Sequence, residues 1–333
     1  MNKTLKVSVA MCTCNGQGYL REQLDSILSQ TLLPDELIVC DDASTDSTVS
    51  ILESFKETAP FPVAIFVNAN RVGVCRNFAK AIERCSGDII FLADQDDVWL
   101  PFKLATTMAA FESHPLCGYV FSNAELMDEQ GKDIGRDLWS SIGFDKRLQA
   151  RYSAGDQLSV MLRWFSLTYG MTMAFRAAFK PKLIPFECPA YATAHDAWIS
   201  LVLTSIGAFG IALPSPLVRY RQHSAQHASA GKPLGFVELV KKRRSDMAQT
   251  YEAFAGVLTR LAARLQDVDP NSEAVSRAKK ELAERVTHLR ARVSANSSQG
   301  FQRLKVVFRE AISGRYGRYS RSFKSIAKDL VSS

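Results

Sequence analysis

Strand-like and helix-like segments alternate through the first hundred residues of this 333-residue chain. Short apolar runs predict strands, and apolar residues recurring at three- and four-residue spacing between them predict helices. The predicted strands are 6–11, 36–40, 63–67 and 89–93, and the predicted helices are 19–30, 47–55 and 76–84. Because parallel neighbouring strands need a crossover, usually a helix, this order predicts a three-layer α/β fold with a mostly parallel sheet.

Polar side chains follow three of these predicted strands at the point where each strand ends. They are Asn15, the pair Asp41–Asp42, and the cluster Asp94, Asp96 and Asp97. Ligands of open α/β sheets bind at the carboxyl ends of strands, so we expect these residues to share one site. Adjacent carboxylates repel one another, whereas Mg²⁺ or Mn²⁺ would bind their oxygens and bridge them to a diphosphate. An acidic turn with one aspartate as a helix cap is the simpler alternative.

Two nucleotide-binding motifs are excluded, and a third motif is only partly matched. Asn15-Gly16-Gln17-Gly18 begins like a dinucleotide fingerprint, but Arg21 occupies the third glycine position, and no GxxxxGK[ST] sequence occurs. Asp94-x-Asp96-x-Val98 resembles the motif of haloacid-dehalogenase-type phosphatases, in which Asp94 would be the nucleophile. Those enzymes carry the motif on their first strand and need a later acidic pair. Here three predicted strands precede the strand that carries the motif, and no later Asp-Asp pair follows.

The second half has a more mixed pattern, with an irregular middle that can cover an acceptor. Strands are predicted at 118–121, 170–175, 211–213 and 217–220, and a helix at 199–206. His195-Asp196 precedes that helix. On the residues alone, Asp196 is equally well interpreted as a helix N-cap or as a base that deprotonates a hydroxyl.

Six segments, taken in order, resemble the family 2 glycosyltransferases of GT-A fold, and within them a bacterial rhamnosyltransferase-like branch. They are Val9–Gly16 with Tyr19-Leu20, Gln23–Gln30, Glu36–Asp46, Asp94–Trp99, His195–Trp198 and Tyr220–His223. The resemblance spans about residues 6–230. It implies an inverting transfer of a sugar, rhamnose for this branch, from a nucleotide-diphosphate sugar to a hydroxyl of a growing surface polysaccharide or O-antigen. The phosphatase and a non-catalytic glycan-binding GT-A module are the alternative functions.

The resemblance also implies roles for individual residues. Nucleotide binding falls on Cys14, Asn15, Asp41, Asp42, Arg76 and Asp94, and metal binding on Asp94, Asp96, Asp97 and His223. Asp196 becomes the catalytic base, with His195, Trp198 and Arg221 as further site residues. Mg²⁺ or Mn²⁺ is the implied cofactor, and Arg221 is a candidate partner for phosphate.

Charge is divided unevenly between the body and the tail of the chain. Residues 232–333 have a net charge of +11 and residues 1–231 of −4. We therefore expect a catalytic domain over 1–231, with a nucleotide-binding half at 1–100 and an acceptor half at 101–231. A basic helical extension follows over 232–333, with helices at 236–266 and 272–293. Residues 294–333 are weakly patterned and end in a basic amphipathic stretch around 308–330. This extension either packs on the catalytic domain or meets an anionic inner membrane surface near a lipid-linked acceptor.

The expected location is the cytoplasm, with peripheral attachment to the inner face of the plasma membrane. No apolar run is long enough to span a bilayer, the N-terminus lacks a signal-peptide pattern, and the seven cysteines are scattered. The expected partners are a nucleotide-sugar donor and a lipid-linked or oligosaccharide acceptor. Nucleic acid is not expected, because the basic residues belong to no recognised binding module.

Overall fold

The alternation predicted for the first hundred residues is present in the computed structural model. The structure describes residues 5–163, 167–186, 194–223, 244–268, 272–320 and 323–331. These residues belong to two compact units. The first unit comprises Met1–Gln149, Thr168–Phe186 and Ala208–Ala230, and the second comprises Ala150–Leu167, Glu187–Gly207 and Gly231–Ser333. The predicted functional boundaries at residues 100 and 231 stay predictions.

The first unit begins with four parallel strands joined by three helices. They are β1 (Val7–Thr13), α1 (Leu20–Leu28), β2 (Glu36–Asp41), α2 (Thr48–Thr58), β3 (Val63–Val67), α3 (Val74–Arg84) and β4 (Ile89–Ala93). β1 lies between β2 and β4 and is parallel to both, and β3 pairs with the outer side of β2. Every residue of β1 and β4 is buried, which explains why both strands are almost continuously apolar.

The later elements of this unit extend the sheet to nine strands. They are β5 (Val98–Trp99), α4 (Lys103–Ser113), β6 (Cys117–Met127), β7 (Asp133–Asp137), α5 (Leu138–Ile142), α6 (Lys146–Ser153, which continues into the second unit), β8 (Met173–Arg176), α8 (Lys180–Leu183) and β9 (Phe209–Arg221). The sheet order is β3-β2-β1-β4-β8-β6-β9-β5, with β7 on β6. Antiparallel β8 joins the parallel half to β6, so the sheet is mixed, and the predicted α/β class is confirmed.

Three of the predicted strands differ in the structure, one because it is shorter and two because they are joined. Gly170–Thr172 forms a 3-10 turn, and only Met173–Arg176 is a strand. The two short strands predicted at 211–213 and 217–220 are one strand, β9, which runs through Pro214 and Pro216. Its register against β6 shifts at this point, which is where a strand tolerates proline.

The second unit is helical among its described residues. Its helices are α7 (Gln157–Met161), α9 (His195–Ser205), α10 (Arg244–Val268), α11 (Glu273–Ser297), α12 (Gly300–Ile312), α13 (Arg315–Tyr319) and α14 (Phe323–Val331). Ser272 caps α11 by accepting a hydrogen bond from the Val275 N–H at 3.4 Å. Residues 236–243 of the first predicted helix, and residues 269–271 between the two helices, lie outside the described residues. Three helices, α12 to α14, form in the segment for which the sequence indicated only an amphipathic stretch near 308–330.

Buried polar contacts hold these last helices together. The ring nitrogens of His288 lie 2.7 Å from Glu310 Oε1 and 2.8 Å from Ser320 Oγ. Arg292 makes two bonds to the carboxylate of buried Asp329, at 2.7 and 2.9 Å. Burial lowers the pKa of His288 to about 4, although its bond to Glu310 acts in the opposite direction. His288 is therefore a neutral imidazole at pH 7.

Acidification is expected to destabilise this helical unit through His288. The unfolded chain protonates this histidine near its ordinary pKa of 6.5, whereas the folded chain resists protonation until about pH 4. The contribution of His288 to the free energy of unfolding is therefore fully present above about pH 6.5. It falls as the pH drops towards 4, by roughly 3 kcal/mol at most. Urea unfolding of the full chain, followed by far-UV circular dichroism at pH 7 and pH 4.5, measures this loss.

Histidine variants separate this contribution from that of other titrating groups. Burial also lowers the pKa of His195 to about 3, so the difference between variants is the test. His288→Gln should weaken the pH dependence, and the same change at exposed His114 should preserve it. An equal pH dependence in both variants would contradict the assignment. The groups facing His288 are Glu310, Ser320, Arg285, Arg292, Tyr316 and Tyr319.

Candidate active site

The strand order of the first unit reverses at β1, which leaves a crevice at the carboxyl ends of its strands. β2 and β3 lie on one side of β1, and β4 lies on the other. Such a switch point is the usual ligand site of an open α/β sheet. The loops after β1, β2 and β4 carry the polar residues that the sequence singled out.

Hydrogen bonds join these three loops. The Gln95 side chain accepts from the Cys14 N–H at 2.8 Å and donates to the Cys14 carbonyl at 3.1 Å. The Asn15 N–H donates to Ser44 Oγ at 2.8 Å, and Asn15 Oδ1 accepts from the Thr45 N–H at 2.9 Å. A side chain at Gly16 would collide with the Gln95 amide, which explains the glycine there. The loops therefore form one connected edge.

Backbone strain is concentrated at the same edge. Asn15 has φ of 49° and Ala43 has φ of 55°, and among the described residues they are the only non-glycine residues with positive φ. Holding a residue in this left-handed region costs on the order of 1–2 kcal/mol. Such strain persists where the surrounding contacts over-determine it, and these sites are often functional.

Asp41 and Asp42 both build loop structure. Asp41 Oδ1 accepts from Thr13 Oγ1 at 2.8 Å, and its Oδ2 accepts from the Ser44 N–H at 2.8 Å. Asp42 accepts from the backbone N–H groups of Val72, at 2.7 Å, and Gly73, at 2.8 Å. Asp42 thereby fixes the turn that starts α3.

Arg76 is exposed in the first turn of α3, directly after the turn that Asp42 fixes. A role of Cys14, Asn15, Asp41, Asp42 and Arg76 in nucleotide binding stays a prediction.

The acidic residues after β4 point in different directions. Asp94 and Asp96 are half-buried, and Asp96 Oδ2 lies 2.9 Å from His223 Nε2. Asp97 is buried, and its Oδ1 accepts from the Arg221 N–H at 3.1 Å. Burial, together with the charges of Asp96 and Asp94, raises the pKa of Asp97 well above its ordinary value. Asp97 therefore ties this loop to β9.

The Arg221 guanidinium is buried and bound to protein groups on every side. Its Nε donates to the Asp96 carbonyl at 2.8 Å, and its Nη1 donates to the Glu129 carbonyl at 3.0 Å. Its Nη2 pairs with the Glu22 carboxylate, and the guanidinium carbon lies 4.7 Å from the centre of the Tyr19 ring. Arg221 thus positions the acidic loop, and pairing with a phosphate would require these bonds to break.

A divalent metal fits this site only if other ligands complete its coordination. Among the residues that the structure describes, no three His, Cys, Asp or Glu side chains form a metal-binding group, so the predicted set of four is not assembled. Asp96 and His223 supply one oxygen and one nitrogen within contact distance. Mg²⁺ is commonly held by one or two carboxylates with substrate phosphates and water. These residues therefore fit a metal that is shared with a diphosphate.

Asp196 and its neighbours belong to the helical unit. Ala194 is the N-cap of α9, so Asp196 lies in the first turn and is not the N-cap. Its Oδ1 accepts from the Ala197 N–H at 2.6 Å, and its side chain is largely buried. His195 is buried and neutral at pH 7. Trp198 is fully buried, and the guanidinium carbon of Arg264 lies 5.6 Å from the centre of its ring.

Comparisons with known proteins identify the family. Residues 8–180 match the model of glycosyl transferase family 2. The chain belongs to this family. It is 26% identical over 253 residues to an uncharacterized glycosyltransferase of Nostoc sp. strain PCC 7120, and the match covers 74% of each chain. The dTDP-rhamnosyl transferase RfbG of Shigella flexneri is 35% identical over 98 residues, 28% of this chain and 34% of that protein.

Solved glycosyltransferases share the fold. S. aureus TarS 1–349 in complex with UDP-GlcNAc matches with a TM-score of 0.52 and 17% identity, over 94% of this chain and 92% of that one. The mannosyltransferase PcManGT of Pyrobaculum calidifontis, in complex with GDP-Man and Mn²⁺, matches with a TM-score of 0.51 and 18% identity, over 99% and 86%. The predicted GT-A type fold with C-terminal helices is confirmed.

Three residues of this glycosyltransferase site were missed from the sequence. Gln95 joins two loops, and Glu22 and Tyr19 hold Arg221 from α1 and the residue before it. The sequence did mark the position of Gln95, because it lies between two aspartates of the acidic motif. Tyr19 was marked as well, because it lies in a segment that carries the family resemblance. Glu22 was not marked, because its partner is 199 residues later in the chain.

Replacing Gln95 with alanine is expected to loosen the nucleotide edge. The variant loses both bonds to the Cys14 backbone, which should cost about 1–2 kcal/mol of stability and weaken nucleoside-diphosphate binding about tenfold. Urea unfolding and isothermal titration calorimetry measure the two effects. Gln130→Ala, at an exposed loop position, is the matched control. Wild-type affinity in Gln95→Ala would show that the loop contact does not shape the site.

Proposed function

We propose that this family 2 glycosyltransferase transfers a sugar, with inversion, from a nucleotide-diphosphate sugar to a hydroxyl of a surface polysaccharide or O-antigen acceptor. One observation carries the proposal. The half-buried Asp94 and Asp96 follow β4 at the switch point of the sheet, where Asp96 contacts His223. A diphosphate needs cationic partners, so carboxylates at this edge favour binding through a metal.

At the donor end, the chain holds the nucleotide and the leaving diphosphate. Asp94, Asp96 and His223 would hold Mg²⁺ or Mn²⁺, which neutralises charge on the leaving diphosphate when bound. Mn²⁺ in the PcManGT complex supports this part of the proposal. Asp97 would hold the loop against β9 through its bond to the Arg221 N–H. The loops after β1 and β2, with the start of α3, would contact the nucleoside through Cys14, Asn15, Asp41, Asp42 and Arg76.

At the acceptor end, Asp196 is the proposed base. The acceptor oxygen bonds to the anomeric carbon while the bond from that carbon to the diphosphate oxygen breaks, and the hydroxyl proton moves to the Asp196 carboxylate. A single displacement needs no covalent sugar–enzyme intermediate. The family-like motif His195–Trp198 and the burial of this carboxylate support the role. Neutral His195 would help to position Asp196, and Trp198 would pack behind it.

Rhamnose is the proposed sugar, supported by the branch-like motifs and by the short match to RfbG. The solved proteins that match across most of the chain are complexes with other nucleotide sugars, UDP-GlcNAc and GDP-Man. A thermal-shift panel of thymidine, uridine and guanosine diphosphate sugars, each with Mn²⁺ or with EDTA, tests this choice. A shift specific to the thymidine donor supports rhamnose, whereas a shift specific to a uridine or guanosine donor would support the sugar of that donor instead.

Product analysis tests the reaction itself. Incubation with the preferred nucleotide sugar, Mn²⁺ and an acceptor extract should release nucleoside diphosphate. Release of inorganic phosphate from a phosphomonoester would instead support a phosphatase with Asp94 as the nucleophile. Binding without turnover would support a glycan-binding module.

The proposed acceptor is lipid-linked or an oligosaccharide, so we place the enzyme at the cytoplasmic face of the plasma membrane. Within the described ranges, no helix is both long and apolar enough to cross a bilayer. We propose peripheral attachment through the basic C-terminal helices, because residues 232–333 have a net charge of +11.

A further inference from the structure

Helix α12 turns its largest apolar side chains towards solvent. Phe301, Leu304, Phe308 and Ile312 are 81%, 54%, 69% and 72% exposed. Their spacing of three, four and four residues places them along one side of the helix, and we call them the apolar stripe. The stripe contains both phenylalanines, the leucine and the isoleucine of α12. A helix of a soluble domain normally buries such a stripe.

The inward side of α12 is held by other residues. Val307 packs in a small apolar cluster with Ala295 and Tyr316. Glu310 is buried, bonded to His288 and also to Arg315, whose Nε lies 2.7 Å from the carboxylate. Because these contacts fix the helix, the apolar stripe is not needed to fold the unit. It remains accessible to a partner.

The segment that carries the apolar stripe exposes only cationic charges. Residues 300–333 contain only two carboxylates, Glu310 and Asp329, and both are buried in ion pairs. Lys305, Arg309 and Lys324 are exposed, so every exposed charge of this segment within the described residues is positive. Lys305 and Arg309 follow the stripe on the exposed side of the helix. Such a surface complements an anionic partner.

Helix α14 carries a further exposed apolar side chain. It packs against α12, and Phe323 at its first position is 78% exposed. Lys324 follows Phe323 directly. Aromatic and aliphatic side chains flanked by lysine and arginine are the composition of helices that lie in the membrane interface.

We infer that the apolar stripe, Phe323 and their flanking cations form a docking surface for an anionic phospholipid bilayer. The apolar side chains enter the boundary between headgroups and acyl chains, and the cations contact anionic headgroups. A second copy of this chain fits less well, because symmetric pairing would bring the same cations together, and a stable interface buries about 800 Å² per partner. The inference rests on the proposed function only for its purpose, which is to bring the enzyme to a lipid-linked acceptor.

Vesicle co-sedimentation of the full chain tests the inference. Vesicles of phosphatidylglycerol and phosphatidylethanolamine should bind the protein, and phosphatidylcholine vesicles should bind it at least about tenfold less. The Phe301→Ser/Phe308→Ser variant should lose about tenfold or more of the binding. Lys305→Gln/Arg309→Gln should lose binding on the order of tenfold, and only to the anionic vesicles. Leu116→Ser, at an apolar position of the first unit that is 90% exposed, is the matched control and should bind normally.

Three outcomes would overturn the inference. The first is no binding of the wild-type chain to anionic vesicles. The second is equal binding by the stripe variant and the Leu116 control, with unchanged unfolding curves for both. The third is a dimer, detected by light scattering, that the stripe substitutions abolish while vesicles bind nothing. No donor or acceptor is present in this assay, so it can fail while sugar transfer succeeds, and the reverse also holds.

Discussion

The Asp196→Asn variant is expected to bind nucleoside diphosphate with wild-type affinity and to transfer sugar about 10³-fold more slowly, since a general base typically contributes 10²–10⁴-fold. Asparagine has nearly the same shape and can still accept the 2.6 Å bond from the Ala197 N–H. It cannot take a proton from the acceptor hydroxyl. Turnover is measured as nucleoside diphosphate release with saturating donor and acceptor, and affinity by calorimetry.

A second variant controls for the loss of charge at a helix start. Asp196 is the acidic residue in the first turn of α9, as Glu273 is in the first turn of α11. Removing a carboxylate there costs about 0.3–1 kcal/mol through the helix dipole. Glu273→Gln should show this small loss of stability and keep full turnover. Near-normal turnover in Asp196→Asn would remove Asp196 from the mechanism, and weaker nucleotide binding would make it a binding residue.

The parallel half of the sheet could be predicted from sequence because each of its elements is specified locally. Strands β3 and β4 have the predicted bounds, 63–67 and 89–93, since their apolar runs end abruptly at polar residues. The position of the polar strand ends could also be predicted, because parallel strands place their carboxyl ends at one edge.

The antiparallel half was predicted less well because distant pairing decides it. β9 continues through two prolines only because β6 accommodates a register shift beside them. The weak pattern at the end of the chain has another cause. Helix α12 buries Glu310 and exposes Phe301 and Phe308, so its apolar face does not mark its buried side.

Arg221 shows the same limit at the site. The family-like segment Tyr220–His223 suggested Arg221 as a phosphate contact, because the sequence does not show which carboxylate lies next to this arginine. In the structure, the carboxylate that pairs with Arg221 is that of Glu22, which lies 199 residues earlier in the chain. Roles of charged residues therefore depend on long-range contacts that no local pattern reveals.

The Asp96→Asn variant is expected to lose the stabilisation that Mn²⁺ and nucleoside diphosphate provide together. Asp96 and His223 are the predicted ligands that already lie in contact, at 2.9 Å. A neutral amide attracts a divalent cation far less than a carboxylate does. Transfer should fall about 10²-fold or more, because charge stabilisation by a metal is worth several kcal/mol. Thermal shifts with Mn²⁺, with EDTA, and with nucleoside diphosphate added to each measure the binding part.

Asp97→Asn is the discriminating comparison, because it removes a carboxyl group from the same loop. Asp97 is buried and bonded through Oδ1 to the Arg221 N–H at 3.1 Å, which asparagine can preserve. The variant should keep the joint response to Mn²⁺ and nucleotide. If Asp97→Asn loses that response while Asp96→Asn keeps it, then Asp97 is the ligand and the loop must rearrange on binding. If neither variant loses it, neither Asp96 nor Asp97 holds the metal, and the donor diphosphate must be neutralised through Asp94 or by residues elsewhere in the crevice.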